Sequence, residues 1–283
     1  MTFLTAEAAE NPAPGPPVPW WSFSKTILAA AALVLVDRRA LDLDAPIAGA
    51  PYTLRHLLQH RSGLTDYGPS ADYRRAVAAG ESPWTVDELL RRVQASTLLF
   101  EPGARFFYSN IGYLFVRQII ERGADADLDE ALQTLVLRPL GIEGAFVAGS
   151  SADFDAIAWG NAQRYDPRWV FHGCVVGSLP VAATCLHRLV HGGLLAPATM
   201  SAMCAPLSYG ADVNAPEDAG YGLGLMIESA GPVERLAGHA GSGPGSSIAV
   251  FSALTAKRTF AAAVDADAPD AFIKLIDHLK TRL

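Results

Sequence analysis

The feature that most constrains the fold of this chain is an apolar segment near its beginning. Residues Ile27 to Val36 contain only Ala, Leu, Ile and Val, and they follow the string Ser22-Phe23-Ser24-Lys25-Thr26. These residue types favour a helix, and a helix that is apolar on every side must lie inside a protein core. We therefore expect a central buried helix that begins near Ser22, around which the rest of the chain packs.

The same segment is too short to cross a membrane. A spanning helix needs roughly 18 or more apolar residues, whereas Asp37-Arg38-Arg39 ends this run. The first ten residues also lack the basic start and apolar centre of a secretion signal. These observations predict a soluble, cytoplasmic protein that has no membrane partner.

Composition limits the classes of partner. The chain has 283 residues, of which 50% are hydrophobic, so it can bury a large core as one two-lobed unit or two domains. Its net charge of -7 disfavours binding to nucleic acid. We expect a small-molecule or short-peptide substrate and no nucleic-acid partner, and the residues leave the oligomeric state open.

Cysteine and histidine spacing disfavours a metal site. Cys174, Cys185 and Cys204 have no paired C-x-x-C spacing, which predicts buried free thiols in a reducing compartment. His56 and His60 have the i, i+4 spacing of zinc-binding helices, but Leu57 stands where the glutamate base would be. We expect neither a metal nor a cofactor.

The string around Ser22 is a candidate nucleophile site. Residues three apart share a helix face, so the Ser22 hydroxyl and the Lys25 amine would be neighbours. Burial would lower the pKa of Lys25 and allow it to accept the serine proton, while the helix dipole favours negative charge at Ser22. Taken alone, a solvated serine and lysine at the start of a core helix explains the string equally well.

A second string contains Tyr108 and Asn110. It follows the turn signal Pro102-Gly103 and precedes a helix-like pattern from Ile111, which places both residues on a loop. A phenol can carry a proton, and an amide can bind both a lysine and a substrate carbonyl. For an isolated Tyr-x-Asn, a half-buried tyrosine and a turn asparagine is the better explanation.

A third string, with His239, Gly241 and Ser242, lies in a glycine-rich stretch before the strand-like run Ile248 to Phe251. Its glycines would let a substrate backbone approach, and an exposed strand edge could pair with a peptide-like substrate. The Ser242 amide could then join the Ser22 amide in an oxyanion hole. Alternatively, the stretch is a flexible hairpin between two strands of a sheet. Ala240 replaces the first glycine of a G-x-S-x-G motif, which disfavours an α/β-hydrolase.

In this order, the three strings resemble the serine β-lactamase and penicillin-binding-protein superfamily, in particular its class C-like hydrolases, DD-peptidases, D-aminopeptidases and esterases. The segments Leu54 to Leu64, Gly192 to Leu195 and Gly220 to Leu225 also resemble that family. The resemblance implies an α/β (α+β) fold in which helices flank an antiparallel sheet and an all-helical lobe is inserted. Residues 1–45 and 161–283 would form the sheet lobe and residues 46–160 the helical lobe, with the active site in the cleft between them.

The resemblance also implies roles for individual residues. Ser22 would form an acyl-enzyme, Lys25 and Tyr108 would share the proton transfers, and Asn110 would orient the lysine and the substrate amide. His239, with Gly241 and Ser242, would occupy the third-motif position, where β-lactamases usually have lysine. A partly charged His239 would attract a substrate carboxylate less than lysine does, which leaves esters, amides and D-residue peptides as substrates.

The segment before Ser22 differs from the family pattern. The family usually has a helix and sheet strands there, whereas Asn11 to Pro19 is proline-rich and predicts an extended polyproline-like arm without sheet hydrogen bonds. We therefore expect a shortened N-terminal part. The alternative to an active hydrolase is a catalytically impaired member that binds a ligand or a partner chain.

Apolar spacing predicts the remaining elements. The predicted helices are Leu54 to His60, Val86 to Ala95, Ile111 to Gly123, Leu128 to Leu137, Ala182 to His191 and Ala271 to Leu283. The predicted strands are Leu223 to Ile227, Ile248 to Phe251 and Thr259 to Val264. Four aromatic residues could line the cleft, although core packing is the more frequent fate of each: Trp20, Trp21, Tyr67 and Tyr113.

Overall fold

A central buried helix organises the protein. In the computed structural model, which describes residues 3–158, 164–210, 219–229, 235–265, 273–275 and 277–278, helix α1 spans Ser24–Asp37. Every residue from Ser24 to Leu35 is buried. The predicted core helix is therefore confirmed. It begins two residues after Ser22, which lies in a 3-10 turn over Trp21–Phe23.

The other elements follow in chain order. The helices are α2 (Leu54–Leu58), α3 (Ala71–Ala78), α4 (Val86–Arg92), α5 (Asn110–Ala124), α6 (Leu128–Leu132), α7 (Leu179–His191) and α8 (Pro197–Met203). The strands are β1 (Phe3–Glu7), β2 (Pro17–Pro19), β3 (Phe146–Ala148), β4 (Cys174–Ser178), β5 (Leu207–Ser208), β6 (Gly220–Tyr221), β7 (Met226–Ser229), β8 (Arg235–Gly243), β9 (Ser246–Ala253) and β10 (Arg258–Val264).

Seven strands form one antiparallel sheet in the order β1-β10-β9-β8-β7-β6-β5. Strands β8 and β9 form a hairpin in which His239 pairs with Val250 and Gly243 pairs with Ser246. Helix α7 packs against this sheet through its half-buried histidines, since His191 contacts Ser252 and His187 contacts Thr259. The predicted antiparallel sheet flanked by helices is confirmed.

The expectation that the proline-rich stretch makes no sheet hydrogen bonds was wrong. Strand β1 pairs antiparallel with β10, from Phe3 opposite Val264 to Glu7 opposite Phe260. Strand β2 lies within the proline-rich stretch and pairs with β4. Proline lacks an N–H group but keeps its carbonyl, so a short strand with two prolines can lie at the edge of the three-stranded sheet β2-β4-β3.

Between residues 46 and 158, several short helices and helix α5 are joined by strand β3, which pairs with β4. The predicted helix over Leu128 to Leu137 divides into α6 and a π-helical turn over Gln133–Leu137. Strand β7 begins at Met226, three residues later than predicted. Most of the predicted helix Ala271 to Leu283 lies outside the described residues. The limits of the two lobes remain a prediction.

Two further features concern membranes and thiols. Across the described ranges, no helix has both the length and the apolar character needed to cross a bilayer. All three cysteines are free, Cys174 and Cys185 being buried and Cys204 only partly so.

Candidate active site

Ser22 lies on a strained turn at the entrance to helix α1. The residue before it, Trp21, has a φ of 44°, a left-handed conformation that is rare for a bulky side chain. The Trp21 indole donates to the Ser246 hydroxyl at 2.9 Å, and its ring packs edge-on against Phe154 and Tyr165. These contacts hold the turn in place, and Ser22 remains half-buried at its apex.

Lys25 lies one helical turn beyond Ser22. Its Nζ donates to the Ser22 hydroxyl at 3.2 Å, and the whole side chain is buried in the first turn of α1. Burial lowers the pKa of Lys25 to about 7, although the charge of Asp66 opposes the shift. A substantial fraction of this amine is therefore neutral near neutral pH and able to accept a proton.

Tyr108 contacts the same hydroxyl. Its phenol donates to Ser22 Oγ at 2.9 Å. Burial raises the pKa of Tyr108 well above its usual value, although the bond to Ser22 opposes this shift. The phenol is thus protonated at neutral pH, and it can carry a proton but cannot act as a resident phenolate base.

Asn110 binds the lysine. Its Oδ1 accepts from Lys25 Nζ at 2.7 Å, and its backbone N–H donates to Asp66 Oδ1 at 2.8 Å. The prediction that Asn110 lies on a loop was wrong, because it is the first residue of α5. The Ser109 hydroxyl accepts from the Gly112 N–H and caps this helix. The helix N-terminus therefore fixes the asparagine side chain toward Lys25.

His239 is buried near Lys25 and Tyr108, but the hydrogen bonds described for its side chain are to residues outside this group. Its Nε2 lies 2.8 Å from the Tyr221 hydroxyl and its Nδ1 contacts the Ala240 carbonyl. Its ring centroid is 6.5 Å from that of Tyr108. Burial and the nearby Lys25 charge lower the pKa of His239 to about 3. The expected partial charge at neutral pH was therefore wrong, since the ring is neutral.

Gly241 and Ser242 bring strand β8 against the nucleophile turn. A Cβ at Gly241 would lie 2.6 Å from the Ser22 backbone nitrogen and 3.0 Å from the Trp20 carbonyl oxygen. Only glycine permits this approach without displacing backbone. The last residue of β8 that pairs with β7 is Gly238, opposite Met226. After Gly238, the edge of β8 is not paired with β7, and this unpaired edge lies next to Ser22.

A pocket of about 650 Å³ opens at Ser22. Ser242 and Asn110 also line it, together with aromatic and aliphatic side chains. The aromatic and aliphatic lining residues are Trp21, Tyr67, Tyr73, Tyr165, Val77, Ala78 and Val170. Two arginines, Arg74 and Arg164, also line the pocket. The arrangement offers a hydroxyl nucleophile, a base and a proton carrier at the wall of a cavity that has aromatic, aliphatic and cationic lining residues.

The structure unites four of the seven sequence-predicted site residues through side-chain hydrogen bonds, namely Ser22, Lys25, Tyr108 and Asn110. Sequence reasoning missed His172, whose Nε2 lies 3.2 Å from Lys25 Nζ. It belongs to no motif, so no local signal could have identified it.

The four aromatic candidates divide between cleft and core. Trp21 and Tyr67 line the pocket. Trp20 and Tyr113 are fully buried, and the Lys25 amine lies 5.7 Å from the Tyr113 ring centroid.

In the part of the chain that the structure describes, no group of three or more His, Cys, Asp or Glu side chains could hold a metal ion.

Comparison with known proteins places this geometry in a family. The family model described as Beta-lactamase matches residues 7–272. A D-aminopeptidase of Gluconobacter oxydans is 32% identical over 118 residues, which are 41% of this chain and 21% of that protein. Esterase EstB of Burkholderia gladioli is 30% identical over 162 residues, which are 50% of this chain and 41% of the esterase.

A solved structure shares the fold. The D-amino acid amidase from Ochrobactrum anthropi SV3 matches with a TM-score of 0.80 and 21% identity, over 94% of this chain and 86% of that chain. The chain spans only 21% and 41% of the lengths of the two curated relatives above.

Proposed function

Since this chain belongs to the Beta-lactamase family, we propose that it is a serine hydrolase that acts through an acyl-enzyme on an ester, an amide or a D-residue peptide. One observation carries the proposal. The Ser22 hydroxyl lies within hydrogen-bond distance of a buried amine whose pKa is about 7 and of a neutral phenol, at the wall of a pocket.

The first chemical step forms the acyl-enzyme. Ser22 Oγ attacks the substrate carbonyl carbon while its proton passes to the neutral amine of Lys25. The backbone N–H groups of Ser22 and Ser242 would stabilise the oxyanion, in line with the approach of β8 to the nucleophile turn. The bond to the leaving group then breaks, and the leaving oxygen or nitrogen takes a proton that travels from Lys25 through the Tyr108 phenol.

The second step releases the acyl group. Water attacks the acyl carbon and gives its proton to the Lys25 and Tyr108 pair, after which Ser22 Oγ leaves and regains a proton. Asn110 holds the amine throughout, because its amide oxygen accepts from Nζ. No step requires a charged His239, which is consistent with a neutral ring held by Tyr221.

Three observations bear on the substrate. The aromatic and aliphatic lining of the pocket suits an apolar or aromatic acyl group. The neutral His239 removes the positive charge that a lysine would offer to a carboxylate at the third-motif position. Among the relatives, one is named a D-aminopeptidase and another an esterase. Together they favour small esters and amides over substrates that need a cation at the third-motif position, while Arg74 and Arg164 supply positive charge elsewhere in the pocket.

The hydrogen bonds among Ser22, Lys25, Tyr108 and Asn110 support an active enzyme over the impaired-member alternative. The test is steady-state turnover of p-nitrophenyl acetate and butyrate, D-phenylalanine p-nitroanilide and a chromogenic cephalosporin. We expect ester turnover that falls by about 10³-fold or more in Ser22→Ala, as for removal of a covalent nucleophile. Equal turnover by wild type and Ser22→Ala would refute the proposal.

A further inference from the structure

The Lys25 amine has a third partner besides Ser22 and Asn110. His172 Nε2 lies 3.2 Å from Nζ, whereas Ser22 Oγ is at 3.2 Å and Asn110 Oδ1 at 2.7 Å. His172 is 2% exposed and lies just before strand β4, 147 residues from Lys25 in the chain. It also lines the pocket beside Ser22.

The protonation of His172 follows from its surroundings. Burial, and then the charge of Lys25, hold the pKa of His172 well below its usual value, so the ring is neutral. A neutral imidazole has one N–H and one acceptor nitrogen. An ammonium can only donate, so Nε2 must accept from a charged Lys25, which places the ring proton on Nδ1. Within the described part of the chain, Nδ1 has no hydrogen-bond partner.

From this geometry, and resting on the proposed function, we propose that His172 is a positioning residue that accepts an N–H of Lys25 and so directs the amine lone pair at the Ser22 hydroxyl. A neutral amine has two N–H groups and one lone pair. When Asn110 Oδ1 and His172 Nε2 accept the two N–H groups, the lone pair faces the remaining neighbour, Ser22 Oγ. With only one acceptor the amine can rotate, and the lone pair loses its fixed direction.

The same contact affects how readily Lys25 holds its proton. An acceptor nitrogen beside the ammonium stabilises the charged form, so removing it lowers the pKa of Lys25 further. Other titratable groups also surround this amine and remain present when His172 is substituted, and two of them, His60 and His239, interact with His172 as well. These groups are Asp66, Tyr108, Tyr113, Cys174, His60 and His239.

Two amide variants separate the positioning role from simple packing. In His172→Gln the amide oxygen reaches the place of Nε2 and can accept from Lys25, whereas the shorter side chain of His172→Asn ends near the place of Nδ1. The Lys25 titration is read by NMR of ε-¹³C-lysine, which is practical because the chain has four lysines. Ester turnover is measured on the same three proteins.

We expect Lys25 in His172→Gln to titrate close to wild type, and in His172→Asn about one pH unit lower. We expect kcat to fall about tenfold in His172→Asn, with KM changed much less, and to recover in His172→Gln. Identical titrations and equal kcat in all three proteins would overturn the proposal, as would a Gln variant no better than Asn. If His172→Asn does not fold, His172→Leu replaces it as the variant without an acceptor. If wild type turns over no ester, the proposed function fails, and the NMR titration alone still decides the role of His172.

Discussion

At the scale of single residues, the site depends on a lysine that is placed where its charge is unfavourable. Lys25 is fully buried. Its charged form is stabilised by hydrogen bonds to neutral groups, by the faces of two tyrosine rings and by the charge of Asp66. Desolvation exceeds these compensating interactions, so the pKa falls to about 7. The burial that makes this amine a base near neutral pH also reduces the stability of the folded protein.

The first prediction concerns the pH dependence of turnover. The neutral amine accepts the serine proton, so activity needs Lys25 to be deprotonated. We expect kcat/KM for an ester to fall about tenfold per unit below pH 7 and to level off above it. Because the pKa of Tyr108 is raised well above its usual value, no decline from its ionisation should follow up to pH 9. A profile that is flat between pH 5.5 and 9 would contradict the assignment of Lys25 as the base.

The second prediction concerns stability. The unfolded chain keeps the Lys25 proton up to about pH 10.5, whereas the folded chain loses it near pH 7. The penalty is therefore fully present below pH 7 and disappears as pH rises toward 10.5. At about 1.4 kcal/mol per pKa unit, it reaches about 5 kcal/mol below pH 7.

We therefore expect Lys25→Met to be more stable than wild type at pH 6, with an advantage that shrinks steadily by pH 9. Urea unfolding at each pH measures the difference. The matched control is Lys257→Met, because Lys257 is exposed and lies outside the candidate site. A Lys25→Met advantage that is absent at pH 6, or constant with pH, would show that the buried amine is not desolvated as described.

At the scale of elements, the geometry of the site depends mainly on how closely strand β8 approaches the nucleophile turn. The third prediction concerns Gly241→Ala, whose added Cβ would lie 2.6 Å from the Ser22 backbone nitrogen. We expect this substitution to lower kcat/KM at least tenfold and to lower the free energy of unfolding by about 1–3 kcal/mol. Gly149→Ala is the control, since its Cβ meets nothing closer than 4.0 Å and its φ is not left-handed. Wild-type turnover in Gly241→Ala would mean that β8 can move away without affecting the site.

Elements with strong local patterns were predictable from the sequence. Helix α1 and strand β9 are encoded by unbroken apolar runs. Strand β8 was not among the predicted strands, because it lies in the glycine-rich stretch that indicated a flexible hairpin. Strands β1 and β2 were not predicted, because their pairing depends on β10 and β4, which are distant in the sequence. For the same reason His172 could not be found, since only tertiary packing brings it to Lys25.

At the scale of the whole molecule, β1 covers one edge of the seven-stranded sheet. It pairs with β10, which lies more than 250 residues later in the chain. The fourth prediction is that deletion of residues 1–8 exposes the edge of β10, lowers the midpoint of thermal unfolding by roughly 5 °C or more and promotes self-association. Calorimetry and light scattering measure both effects. The control Glu7→Ala breaks the exposed ion pair with Arg258 and should change stability by about 0.5 kcal/mol or less. An unchanged midpoint after the deletion would mean that β1 contributes little to the fold.

The most direct test of the proposed acyl-enzyme is the intact mass of the protein after incubation with a fluorophosphonate, followed by peptide mapping. We expect a single adduct on Ser22 in wild type and no adduct in Ser22→Ala. The adduct should persist in Ser24→Ala, because the Ser24 hydroxyl is buried and accepts from the Val175 N–H. A folded wild-type protein that gains no mass, or an adduct that forms as fast in Ser22→Ala, would contradict the account.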